Sequence, residues 1–260
     1  MVCVIGHRQF INGLKRIVLK TRRPVTTCTG NVSMITRCIK NLISIPFVLV
    51  CIALPAQNVV DLKIAELPHI QKTIGNPKTV TTSLGQAVDF SGSDGYFLNI
   101  NPLKGMSQFT LEAIFKPDSD GGFEQRFLHL GMLSGERVMF EIRVNRDSTW
   151  YFDTYISLSN GDNLTMINEK LTHPTGKWYH VALVVDGTRA VVYINGVVEF
   201  NEPIAFIPIN EGIASIGVRQ NLVSWFKGSI YRVRVTPRIL EKIEFLNDHL
   251  PLRLCNFAGN

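Results

Sequence analysis

From Gln86 onward the chain is a run of short apolar segments separated by Gly, Asn, Asp and Pro. Ala87–Phe90, Tyr96–Ile100, Phe109–Lys116, Phe127–Leu130, Val138–Val144, Trp150–Ile156 and Leu164–Ile167 come first; Ala214–Val218 and Ser229–Val235 come last. Phe109, Leu111, Ala113 and Phe115 alternate with Thr110, Glu112 and Ile114, the period of a strand with one apolar face. The densest stretch, Trp178 to Glu199, holds three β runs: Val181–Val185, Ala190–Ile194 and Val197–Phe200. Asp186-Gly187 and Asn195-Gly196 separate them, and both pairs tolerate the positive φ that a type I′ hairpin turn demands. Short strands at regular spacing, without amphipathic helical stretches, predict an all-β chain: a two-sheet antiparallel β-sandwich, or jelly roll. Only Pro237 to Asn247 has helical spacing, and it predicts a short C-terminal helix. Residues 57–85 read as an edge strand and a loop.

The first 56 residues differ in kind. They hold eight Lys and Arg and no acidic residue, whereas the remainder carries 19 basic and 21 acidic residues. The formal net charge of +6 therefore belongs to the leader, and a basic nucleic-acid groove on the folded part is disfavoured. Arg37 and Lys40, an apolar run from Leu42 to Leu54 and Ala56 before Gln57 have the layout of a signal peptide over 34–56. Pro46 interrupts that run, which falls short of the about 20 residues of a membrane-spanning helix, so no membrane insertion is expected in the mature form. Val50 before Cys51 argues against a lipid anchor. Residues 1–33 read as a non-native or disordered extension ahead of a start at Met34. Four of the five cysteines lie in this leader, leaving Cys255, in a C-terminal tail over 251–260, as a lone thiol. A secreted, periplasmic or cell-surface location follows.

Several motifs then point to one family. G-K-W-Y-H-V-A-L-V-V-D-G (176–187), V-Y-I-N-G-V-V-E (192–199), S-I-G-V (215–218) and F-K-G-S-I-Y-R-V-R-V (226–235) follow A-V-D-F-S-G-S-D-G-Y (87–96) and F-T-L-E-A-I-F-K-P (109–117). In that order they resemble the laminin-G-like, concanavalin-A-like lectin and glucanase jelly-roll superfamily, over about 87–240, with a domain reaching from 86 to 250. The matched residues speak for a scaffold. Trp178 is expected to plug one end of the sandwich, Gly217 and Gly228 to mark close backbone approach, and Arg232 or Arg234 to lie over a sheet face. The resemblance implies lectins, adhesion modules, glycosidases or lyases, and fold alone does not choose among them.

The chemistry-bearing residues narrow the choice. A retaining glycosidase needs two carboxylates close together, and no strand carries an E-x-D-x-E type pair; Glu112, Glu141 and Asp153 each stand alone in their runs. His129, His173, His180 and His249 are scattered, and His180 reads as a hydrogen-bonded structural histidine. These observations lean away from an enzyme. Calcium is the one candidate cofactor, since the resemblance implies rim calcium sites and hard cations take loop oxygens: Asp118, Asp120 and Asp94 are the candidate ligands. Sugar stacking calls for aromatic and polar loop groups, and Trp225, Arg219, Asn221 and Tyr155 are the candidates. Asn163-Leu164-Thr165 is an N-glycosylation sequon. The reading is a secreted non-catalytic module that binds carbohydrate, with a protein-binding adhesion or cell-surface structural module, or a divergent polysaccharide hydrolase or lyase, as alternatives. The partner is a glycan or a cell-surface protein, reached through loops around 91–95, 118–124, 157–163 and 219–226.

Overall fold

The structure, a computed structural model, describes residues 58–246. Residues 34–56, which have the layout of a signal peptide, and Cys255 lie outside them. Sixteen strands follow one another among the described residues: β1 Val60–Lys63, β2 Ile70–Ile74, β3 Lys78–Thr82, β4 Gly85–Ser91, β5 Gly95–Leu98, β6 Phe109–Pro117, β7 Glu124–Gly131 and β8 Arg137–Val144. Then come β9 Thr149–Ser157, β10 Asn163–Ile167, β11 His173–Pro174, β12 Tyr179–Val185, β13 Arg189–Ile194, β14 Val197–Pro203, β15 Ile213–Ile216 and β16 Lys227–Thr236. All pairings are antiparallel. The first sheet runs β14-β13-β12-β6-β16-β4-β3 with β1 beside β16; the second runs β10-β9-β8-β7-β15-β5-β2 with β11 beside β9. The two sheets form the expected sandwich. Among the described residues no helix is long and apolar enough to cross a membrane.

The core lies between the sheets and is aromatic at its centre. Phe115 of β6 stacks on Phe127 of β7 with ring centres 4.5 Å apart, and meets Trp150 edge-on at 5.2 Å. Such ring pairs add about 0.5–1.5 kcal/mol each beyond burial itself. Trp150 is fully buried against Tyr179 and His173, whereas Trp178, expected to plug one end, stays out of this core. Strand parity explains the difference. Tyr179 faces the core from the start of β12, so Trp178 before it faces outward, packing with Ile114, Leu84, Tyr231 and Leu246. The Lys116 ammonium lies 5.9 Å from its ring centre.

Part of the outer face of the first sheet, over β6 and β12, is buried too. Leu240 and Phe245 cover Ala182 and Val184, and Leu246 covers Ile114. The sequence allowed a short helix here; the segment is extended, with one 3-10 turn over Lys242–Glu244. Beneath it Glu112 is fully buried. It takes Nε2 of the equally buried His180 at 3.1 Å, Nη2 of Arg234 at 2.6 Å and the backbone N–H of Leu246 at 2.7 Å. Burial pushes its carboxyl up, but the hydrogen bonds from His180 and Arg234 outweigh that and its pKa lies below the ordinary value.

Two turn details differ from expectation. Asn195 and Gly196 both have positive φ (48° and 75°), as a type I′ turn requires. At the other hairpin the turn is centred one residue later. Asp186 N–H bonds to Arg189 O at 3.1 Å, and only Gly187 (φ 96°) has left-handed backbone, the glycine-first pattern of type II′. The Asp186 carboxylate instead accepts from the N–H groups of Thr188 and Arg189, each at 2.7 Å, and closes the loop from its side chain. Residues 58–85 hold more than one edge strand and a loop: β1 joins the first sheet, β2 the second and β3 the first again.

Glu112→Ala leaves the Arg234 charge and the Leu246 N–H without their buried acceptor, and removing one partner of such a pair costs about 3–5 kcal/mol. Urea denaturation is expected to show a loss of that size; a loss below about 1 kcal/mol would contradict the packing described.

Candidate functional site

Three loops meet at one rim of the sandwich. Ser91 and Gly92, Asp120–Gly122 with Glu124, and Ser224-Trp225 with Lys227 line an open groove of about 330 Å³. The sequence explains why they are held. Gln125, the second residue of β7, is fully buried; its amide donates to Gly122 O at 2.8 Å and accepts from Lys227 N–H at 2.8 Å. Asp94 locks the third loop, accepting from Asn76 N–H and Ser91 N–H at 2.7 Å each. Gly217 and Gly228 bring backbone into contact here, as expected: a Cβ on Gly217 would sit 2.4 Å from the Phe90 ring, and one on Gly228 2.2 Å from Lys116 O. The loop after Arg219 carries left-handed backbone at two non-glycine residues, Leu222 (φ 61°) and Ser224 (φ 56°). Such conformations persist only where the surroundings enforce them. Arg126 does so for Ser224: its backbone N–H bonds to Ser224 O at 2.8 Å and its side chain to Ser224 Oγ, while Leu222 N–H bonds to Arg219 O at 2.9 Å. Trp225 is left half-buried on the groove wall.

The outer face of the second sheet adjoins this loop and is densely charged. Glu141 of β8 stands opposite Asp153 of β9 in register. Arg126 Nε lies 2.9 Å from Glu141, Arg143 Nη2 lies 2.6 Å from Asp153, and both arginines also reach Glu124. Glu141 and Asp153 are 3% and 2% exposed. Burial pushes the Glu141 carboxyl up; Arg126 opposes this and Asp153 adds to it. The guanidinium of Arg137 lies over the Tyr155 ring, 4.8 Å from its centre. His129 is fully buried below, its Nε2 2.9 Å from Met132 O. Burial, and then the nearby Arg137, Arg219 and Arg126, lower its pKa to about 4, so it is neutral at pH 7. A second open groove, about 500 Å³, runs beside this face between Gln71, Lys72, Phe97, Gln220 and Leu222.

The sequence candidates thus fall in two neighbouring places. Trp225 and Asp120 line the rim groove. Arg219 and Tyr155 share the charged face, both beside Arg137, and Asn221 is exposed at the tip of the loop that joins the two places. Two of the three cation candidates are already engaged. Both Asp94 oxygens hold backbone N–H groups, and Asp120, 70% exposed at its side chain, pairs with Lys227 Nζ at 2.6 Å. Asp118 is half-buried, and burial, followed by Asp89, raises its pKa. Among the described residues no group of three or more His, Cys, Asp or Glu side chains is arranged to hold a metal ion. Sequence reasoning missed Arg126, Arg137, Gln125 and the facing of Glu141 with Asp153. The last had a signal: acids at like-facing positions of two consecutive strands, rather than along one.

The family model of the concanavalin A-like lectin/glucanases superfamily, in its laminin-G form, matches residues 90–244. The chain belongs to this superfamily. No curated protein matches it. Among solved structures it is similar to domain 4 of AbnA, a GH43 extracellular arabinanase from Geobacillus stearothermophilus, in complex with arabinotriose. The identity is 22% over 65% of this chain and 79% of that one, with a TM-score of 0.50. It is also similar to the receptor binding domain of botulinum neurotoxin C/D mosaic serotype, at 15% identity over 72% of this chain and 45% of that one, again with a TM-score of 0.50. At these identities the likeness is one of fold.

His129 gives the face a pH signature. Its ordinary pKa of 6.5 falls to about 4 in the fold, so between these values the unfolded chain binds a proton that the folded chain refuses. The His129 contribution to stability is therefore complete above pH 6.5 and is lost as the pH drops towards 4, by about 3 kcal/mol. Denaturation midpoints measured across this range are expected to fall steeply in the wild type and to flatten in His129→Gln; equal slopes would contradict a neutral buried histidine.

Proposed function

We propose that the chain is a secreted, non-catalytic module that binds carbohydrate, with Trp225 as its stacking surface. The observation that carries this reading is the rim groove, where an aromatic face stands beside backbone and side-chain polar groups of three loops. That combination suits a sugar, whose C–H faces pack on an aromatic ring while its hydroxyls find hydrogen-bond partners. The groove is held by buried hydrogen bonds of Gln125 and Asp94, which supports a pre-formed site with a low ordering cost on binding. Membership of a lectin and glucanase superfamily agrees with it. Glu141 and Asp153, each clamped by an arginine and almost without exposure, support binding over hydrolysis. The layout of residues 34–56 supports secretion.

A glycan array probed with the wild-type protein and Trp225→Ala tests the reading, with arabinotriose included because the AbnA domain of similar fold holds it. The wild type is expected to bind at least one glycan. Trp225→Ala is expected to weaken that binding about tenfold or more, a loss of about 1.4 kcal/mol, without changing the melting temperature markedly. Wild-type protein that binds no glycan, or a variant that binds as well as the wild type, would overturn it.

A further inference from the structure

We infer that Arg137 and Arg219, on the outer face of the second sheet, form a binding site for an anionic oxygen group of an acidic glycan, a carboxylate or a sulfate. This rests on the carbohydrate reading above and gives the ligand its charge.

The argument begins with unmatched donors. Arg126 and Arg143 are matched by Glu124, Glu141 and Asp153. Arg137 and Arg219 are not. Arg137 donates to Gly135 O at 2.6 Å and lies over Tyr155, but pairs with no carboxylate among the described residues. The Arg219 side chain has neither a hydrogen bond nor an ion pair among the described residues. The Nε atoms of both are buried donors without a partner. Buried donors are ordinarily satisfied, so two unsatisfied ones on neighbouring arginines mark a site that something else completes.

Electrostatics agrees. Burial lowers the pKa of Arg219, and the charges of Arg126 and Arg137 lower it further; the pull of Glu141 and Glu124 falls short of compensating. Neutral His129 adds no negative charge. Two crowded, half-buried guanidinium groups present forked N–H donors, which suit the planar oxygens of a carboxylate or the oxygens of a sulfate. The neighbouring groove supplies the rest of a sugar site. Gln220, next to Arg219 in the chain, lines it together with the Phe97 ring and Lys72, so a saccharide lying there sets its acidic group near the arginines and near a third cation. Gln220 is fixed for this, donating to Gly131 O and Ile213 O at 3.1 and 3.0 Å.

Calorimetric titration of the full chain with oligogalacturonate and dextran sulfate, each against its uncharged counterpart (methyl-esterified oligogalacturonate and dextran), tests the inference. One charged probe is expected to bind about tenfold or more tighter than its uncharged form; which one does so distinguishes carboxylate from sulfate. Arg219→Gln and Arg137→Gln are each expected to erase most of that difference and to reduce the salt dependence, with melting temperatures near that of the wild type. Equal affinity for charged and uncharged probes, or no change in Arg219→Gln, would overturn the inference. Equally tight binding of poly-glutamate would overturn the glycan assignment in favour of an acidic peptide. If uncharged glycans bind through Trp225 while the charged forms gain nothing, this inference fails and the carbohydrate reading stands. If no glycan of either kind binds, both fail.

Discussion

Glu112 must keep its charge in a place that water does not reach, and much of the fold is arranged around meeting that demand. An ionised carboxylate taken out of water is tolerated only when its oxygens are filled by donors and opposite charge. Here the donors come from three directions: His180 on the neighbouring strand β12, Arg234 on the neighbouring strand β16 and the backbone of Leu246 in the C-terminal segment. One carboxylate therefore ties three adjacent strands to the extended segment over them. Arg234 also donates to Glu244 O at 2.8 Å, and Thr110, one pleat along β6, accepts from Leu240 N–H at 3.0 Å and donates to Arg238 O at 2.9 Å. The outer face of the first sheet is thereby covered over β6 and β12, whereas among the described residues the outer face of the second sheet carries the cluster of charged side chains.

That division bears on function. The part of the first sheet covered by the chain's own segment offers little to a ligand, whereas the second sheet carries, among the described residues, arginines in excess of their partners and two open grooves at its margin. The loop from Arg219 to Phe226 joins the grooves, with Gln220 and Leu222 in one wall and Ser224 and Trp225 in the other. It leaves Leu222 and Val223 each 43% exposed. Its left-handed Ser224 is held by Arg126, which also binds Glu141 on the sheet face. The loop and the charged face are thus one connected arrangement, and a change at Arg126 reaches both grooves.

The sandwich was legible in the sequence because alternation, β-branched runs and glycine turns all speak for strands. The inner face of β6 could be read directly from Phe109, Leu111, Ala113 and Phe115. Its buried outer face could not, because Leu240, Phe245 and Leu246 lie more than a hundred residues away in sequence and their pattern resembles a helix. The strands β2 and β3 escaped notice because their side chains are almost all exposed or half-exposed, so no apolar period marks them. The rim loops were legible as Gly, Asp and Asn clusters, and three of the four named loops meet in one groove. The charged face was not. Its pairs form between strands, Glu141 with Asp153 and Arg126 with Glu141, and register is a product of folding that spacing along a single run does not reveal. Trp178 was misplaced for a narrower reason: its side was set by the parity of Tyr179, one residue on.

The central claim is that ligand is met at the Trp225 rim and the second sheet's outer face, away from the covered part of the first sheet. The most direct measurement is the indole N–H spectrum of the protein titrated with a binding oligosaccharide, because the three tryptophans sit in three different places. Trp225 is expected to shift, while Trp150 in the core and Trp178 on the outer side of the first sheet stay in place. A Trp178 signal that moves while Trp225 remains unchanged would contradict the account.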